Sequence, residues 1–479
     1  YNTTASANTA VGNLALTANT TGANNTGVGN NVLTANTTGA CNTAVGVNAL
    51  DANTTACRNT ALGFASLTAN TTGCYNTAIG AQALEDNTTG KDNVAIGKQA
   101  LTNNTTVDNN VAVGVNALYT NTTGGNNTAI GFNSLCAHTT GNRNVAVGMY
   151  ALDANTTADN NTAVGFSSLS ANTTGTSNVA VGAYALKVTT TGDGNVGMGN
   201  NAFNCNTTGH SNVGIGHEAL NCNTTGFGNT AVGYQSAWSN TTACYNIAIG
   251  CVALKANTTG IINTAIGYQT LCANTTGTCN IAIGYQSGDS NTTGYNNVSI
   301  GGLNFNVNTT GFNNTTIGHE AGKVINDGDH NTVVGQNSFY NLTTGCYNVS
   351  VGSQNSASAV GILFEYVYGY GLTGKGSNTA FIGGANGAYN GNNNSAWSTT
   401  SDRRIKKNIV DNNTGLEKID KIKVRNFEYK TKDEITEVPT HSAIDKKGIQ
   451  LGVIAQEIEE VLPDVVHTET TGVKSVNPD

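Results

Sequence analysis

The sequence predicts an all-β chain: a parallel β-solenoid, or β-roll, of 17-residue coils, followed by a small α+β domain. Three observations predict it. Asn8-Thr-Ala-Val-Gly12 returns as Asn25-Thr-Gly-Val-Gly29, Asn42-Thr-Ala-Val-Gly46 and onward to Asn348-Val-Ser-Val-Gly352, making 21 copies at a fixed step of 17. Charge is sparse through residue 400, with 8 Lys/Arg and 14 Asp/Glu, and dense over the last 79 residues, with 13 and 15. Pro439, Pro463 and Pro478 are the three prolines of the chain, so none interrupts the repeat. The expected divisions are 1–354, a repeat shaft; 355–400, a neck or cap with a linker; and 401–479, a separate domain that ends short.

One copy reads N-[TV]-A-[VI]-G-x-x-A-L-x-A-N-T-T-G-x-x, numbered here as columns 1 to 17. Columns 2 to 4 suit a short strand, and alternation puts 2 and 4 on one face. The large residues of column 4 (Val11, Val45, Ile79, Ile96, Ile249) are expected inside the coil, opposite column 9 (Leu16, Leu50, Leu84, Leu118). The small residues of column 3 (Ala44, Gly27, Ala95) are then expected outside, where a bare stripe lets another chain approach and favours a homotrimer. Asn in column 1 (Asn42, Asn59, Asn76) is expected to form an amide ladder, and glycine in column 5 a corner with positive φ. At about 4.8 Å per coil the shaft is on the order of 100 Å long.

Several signals are discounted. Gly197-Met-Gly199 and Gly214-Ile-Gly216 imitate a dinucleotide fingerprint because the repeat generates them, with no helix behind. His217 and His319 share a column six coils apart, too far to share a metal. No cofactor or metal is expected. The Asn-Thr-Thr turns offer N-x-T acceptors (Asn19, Asn36, Asn53, Asn70, Asn87, Asn104), read as turn formers rather than glycan sites. The 11 cysteines are scattered; Cys57 with Cys74 and Cys205 with Cys222 fall on adjacent coils, and free thiols are expected. A net charge of −8 without a basic stripe argues against nucleic acid, and no apolar run approaches a membrane span. Residues 355–400 are expected to lose the register at Phe364-Glu-Tyr-Val-Tyr-Gly-Tyr370, with a near-copy at Asn378-Thr-Ala-Phe-Ile-Gly383.

In the last domain Ile419, Ile422, Val424, Phe427 and Tyr429 read as a strand. Leu451-Gly-Val-Ile-Ala-Gln-Glu-Ile-Glu-Glu-Val-Leu462 reads as a buried strand end leading into a helix stopped by Pro463.

Two resemblances follow. Asn42-Thr-Ala-Val-Gly-Val-Asn-Ala-Leu-Asp-Ala is similar to the head repeats of trimeric autotransporter adhesins. That implies a left-handed parallel β-roll in trimers, and an alternative role as a cell-surface adhesin binding host glycans or matrix. Trp397, Ser401-Asp-Arg-Arg-Ile-Lys406, Phe427-Glu-Tyr429, Gly452-Val-Ile-Ala-Gln-Glu457 and Leu462-Pro-Asp-Val-Val466 resemble the intramolecular chaperone domain that ends phage endosialidases, tail fibres and tail spikes. That family trimerises the preceding fibre and releases itself with a Ser/Lys dyad. The resemblance places the nucleophile at Ser401 and the base at Lys406, with cleavage between Thr400 and Ser401: at most a self-cleaving serine endopeptidase, making one cut. It implies a virion fibre, assembled in the host cytoplasm and extracellular afterwards, that meets a host-surface receptor or glycan. The family usually continues past the stretch matched by Val473-Lys-Ser-Val-Asn477, so a fragment of a longer protein is expected.

Overall fold

The computed structural model describes residues 4–383, 388–391, 415–437, 447–468 and 474–476. It divides into two compact units, 1–394 and 395–479.

The first unit is a parallel β-solenoid. Strands β1 (Thr9–Val11) to β21 (Val349–Val351) contain three residues each and recur every 17. Each pairs in parallel with the next at identical columns, as Thr43↔Thr60, Ala44↔Ala61 and Val45↔Leu62. The pairing runs past residue 354. β22 (Glu365–Gly369) keeps the step, with Val349↔Tyr366, and β23 (Thr379–Gly383) joins β22 in parallel after a step of 14. The register expected to fail at 355 thus holds for another coil. The sheet ends where β24 (Ala388–Gly391) turns back antiparallel to β23.

The strand faces are the reverse of the expected ones. Column 3 points inward: Ala44, Ala95, Ala146 and Ala248 have no exposed surface. Columns 2 and 4 point out, and Ile130, Ile249 and Ile283 are 40%, 38% and 36% exposed. The reason is volume. The column 9 leucine fills the middle of the coil, as Leu50 and Leu118 do, which leaves room in columns 3 and 8 mostly for small residues such as Ala, Ser and Gly. Where the filling changes, its neighbours compensate. Phe203 replaces the leucine, and Gly197 and Gly214 stand beside it; a Cβ on Gly214 would lie 2.4 Å from Phe203 Cε2.

Two rows of buried asparagine close most coils. In column 1 the Asn42 amide donates from Nδ2 to Ala56 O at 2.9 Å, tying the turn to the strand start. Its Oδ1 accepts the backbone N–H of Asn59 on the next coil at 3.0 Å. The expected ladder is therefore present, with the main chain as its principal partner. A true amide-to-amide ladder stands in column 12, inside the Asn-Thr-Thr turn: Asn36 Nδ2 donates to Asn19 Oδ1 at 2.8 Å, and Asn53 Nδ2 to Asn36 Oδ1 at 2.7 Å. These amides are buried, which removes the N-x-T acceptors Asn19 to Asn104 from reach of a glycosylating enzyme. The column 1 row ends on buried Glu365, whose carboxylate accepts the N–H groups of Ser358 at 3.0 Å and Gly376 at 2.8 Å.

Corners come from left-handed residues. Gly46 has φ +138°, and a Cβ there would sit 2.3 Å from Gly63 O of the next coil. Leu50 adopts φ +53° and Asn48 +59°, and the same columns repeat this along the rod. A left-handed leucine costs roughly 1 kcal/mol, which burial of its side chain, about 1.5–3 kcal/mol, offsets. Rings add a further stack in columns 16 and 17, where Tyr295, Phe312, His330, Tyr347 and Phe364 follow one another at 4.8, 5.3, 4.7 and 4.9 Å.

Candidate functional site

The described part of the second unit is built from short pieces: α1 (Gly415–Ile419), β25 (Arg425–Phe427), β26 (Gln450–Gly452), α2 (Ala455–Glu459), β27 (Val466–Thr468) and β28 (Lys474–Val476). β25 and β26 pair antiparallel, with Asn426↔Leu451, and so do β27 and β28. The strand expected across 419–429 is cut to three residues, because Ile419 ends α1 instead. The helix expected before Pro463 is present as α2, with Ile458 buried; Pro463 opens a 3-10 turn.

Charge ties the strand to the helix. Arg425 grips Glu457 with both ends of its guanidinium, Nε–Oε2 at 3.1 Å and Nη2–Oε1 at 2.8 Å. The Arg425 guanidinium holds the Glu457 carboxyl below the usual carboxylate range. Both groups face solvent, so the pair orients more than it stabilises. Lys474 on β28 pairs with Glu459 on α2.

The strand end expected to be buried is bare: Ile449 and Leu451 are 73% and 75% exposed, and Ile419 and Val424 stand out from the same unit.

Thr400, Ser401 and Lys406, the expected cleavage site and dyad, lie outside the described residues, as does Trp397. The dinucleotide-like stretches are ordinary corners of the rod, Gly199 and Gly216 having φ +134° and +135°. Among the described residues, no group of three His, Cys, Asp or Glu side chains is placed to hold a metal ion, and no helix is long and apolar enough to cross a membrane.

The sequence of this part of the chain is similar to a known domain. Residues 401–467 match the family described as chaperone of endosialidase. The matched segment follows a solenoid of about 22 coils in the chain, a combination that fits a phage tail fibre with a C-terminal chaperone domain. No curated protein and no solved structure matches the chain.

What sequence reasoning missed is the strip on columns 2 and 4. The pattern signal was present, since Ile fills both columns in Ile247-Ala-Ile249 and Ile281-Ala-Ile283. A strand buried through that face would have needed a second bulky layer inside the coil, where the leucine already stands.

Proposed function

We propose that the chain is a structural fibre protein of a phage-type virus, a homotrimer whose β-solenoid shaft is assembled by the C-terminal chaperone module, which then cuts itself off between Thr400 and Ser401. In the particle the shaft reaches outward to a receptor or glycan on the host surface. The observation that carries this reading is the unburied apolar strip along the rod. It extends over 21 strands at about 4.8 Å each, with a large apolar side chain in column 4 throughout and a second, Val or Ile, in column 2 on ten of them, beyond the few hundred Å² that a monomer ordinarily leaves bare. A strip of constant chemistry along a rod suits identical rods lying side by side in register, which is what a trimerising chaperone delivers. The bare Ile449 and Leu451 of the module offer it a matching means of gathering three chains.

The cut follows from the dyad. Lys406 Nζ takes the proton of Ser401 Oγ, and Oγ attacks the Thr400 carbonyl carbon. The Thr400–Ser401 C–N bond breaks, the Ser401 nitrogen takes up the proton, and Thr400 is left as an ester on Oγ. Water hydrolyses that ester to a carboxylate on Thr400 and a free hydroxyl and amine on Ser401.

The test is expression of the protein with Ser401→Ala or Lys406→Ala. Both should run as one uncut band on a denaturing gel, whereas the unaltered protein yields a fragment whose first residue is Ser401. A normal shortened product from Ser401→Ala removes the dyad assignment. Light scattering of the uncut variants should still report three chains, which separates assembly from cleavage.

A further inference from the structure

Side chains in column 16 lean onto the coil before them. Their polar members accept a backbone N–H from the preceding occupant of the column: Lys91 N donates to Asp108 Oδ1 at 2.7 Å, Thr176 N to Asp193 Oδ1 at 2.6 Å and Phe312 N to Asp329 Oδ1 at 2.9 Å. Cysteines adopt the same pose, with Asp329 N donating to Cys346 Sγ at 3.3 Å. Cys57 and Cys74 hold the column on successive coils, so here a leaning sulfur meets another sulfur. Cys57 N donates to Cys74 Sγ at 3.1 Å, and the two Sγ atoms are 3.2 Å apart in a half-buried setting. In-register coils put their Cα atoms about 4.8 Å apart, inside the roughly 4.4–6.8 Å window that a disulfide spans.

We propose that Cys57 and Cys74 are a covalent modification site, a cross-coil staple formed by exchange with a small-molecule disulfide once the protein leaves a reducing compartment. All eleven cysteines are free in this structure, so the staple is a second state of the rod. Oxidised glutathione serves as the oxidant. The Cys74 thiolate attacks one glutathione sulfur, expelling the first glutathione thiolate and leaving a mixed disulfide on Cys74. Cys57 then loses its proton to solvent and attacks Cys74 Sγ, expelling the second. Two protein thiols are oxidised, and one disulfide is reduced to two glutathione thiols. The hydrogen bond to Cys74, then burial and the neighbouring sulfur, hold the Cys57 thiol above its ordinary value. Cys57 is therefore the resolving thiol, and its rate rises with pH. The closed loop of about 17 residues covers one coil, so the bond ties the coils of β3 and β4 and restrains the unfolded chain there.

Trypsin reads the bond directly, because Arg58 is the first basic residue and Lys91 the next. Cys41 and Cys57 fall on fragment 1–58, and Cys74 falls alone on fragment 59–91. The folded protein is equilibrated with oxidised and reduced glutathione, its remaining thiols are capped, and the non-reduced digest is weighed. The expected product is fragment 1–58 joined to 59–91, two hydrogens lighter than their sum and with the cap on Cys41. Cys41→Ser should keep the joined product; Cys57→Ser should lose it while keeping the hydrogen-exchange protection of coils 43–79, since column 16 already accepts Asp, Asn and Thr. Separate fragments capped at both Cys57 and Cys74 overturn the proposal, and so does a joined product that survives Cys57→Ser.

Discussion

His138 shows how much one residue matters in a ladder. It replaces Asn in column 12, with Nε2 2.7 Å from Gly141 O and Nδ1 3.1 Å from Asn155 Nδ2. In that pose it gives nothing back to Asn121, whose buried Oδ1 is left without a donor. Thr189 and Ile325 interrupt the column in the same way, and Asn172 Oδ1 and Asn308 Oδ1, one coil earlier, are orphaned too. Three of the unsatisfied buried atoms thus share one cause. His138→Asn should restore the bond and raise stability by about 1 kcal/mol at neutral pH, seen as a higher thermal midpoint. The gain should widen in acid. Burial holds the His138 imidazole below its ordinary 6.5, with the Asp159 charge a smaller opposing influence. The unfolded chain therefore binds a proton that the rod refuses. Stability is lost as pH falls from 6.5 toward the depressed folded value, is unaffected above that window, and the slope should vanish in the Asn variant. An unchanged slope would assign the acid sensitivity elsewhere.

At the scale of one coil, the sequence carried the period, the glycine corners, the leucine interior and the order of strand and turn, because each is a local pattern repeated 21 times. It did not carry which face of the strand turns in. Thr-Ala-Val reads equally well either way, and the larger residues were assigned to the interior as they would be in a protein that folds alone. Nor did it carry the left-handed leucines, since φ above zero at Leu50 is set by coil closure and not by the residue. The packing rule is testable at Phe203. Gly214→Ala places a methyl against that ring, overpacking that should cost about 1–3 kcal/mol, although alanine is normal in column 3. Phe203→Leu in the same chain should recover most of the loss, a coupling that a double-mutant cycle in thermal unfolding would measure. Simple additivity would refute the contact. Of the candidate site, the chaperone motifs were legible because they are ordered and polar, while the bare Leu451 was not: a lone strand of alternating residues does not say whether its partner is the same chain.

Across the whole shaft the proposed trimer rests on the outward strip. Ile249→Lys with Ile283→Lys places two charges on it without touching Leu254 or Leu271, which pack inside. The circular dichroism of the strands should stay as it is, while light scattering should fall from three chains to one. A persistent trimer would move the interface to another face of the rod.

The seventeen-residue step, held without exception from β1 to β22, makes length a separate, countable property of the molecule. Because a coil bonds only to the coil before and the coil after, one whole copy can be added or removed and the ends will meet the same chemistry they met before. Fifty-one bases of coding sequence, taken in or out as a unit, change the reach of the rod by about 4.8 Å and leave the backbone pairing of the remaining coils in register.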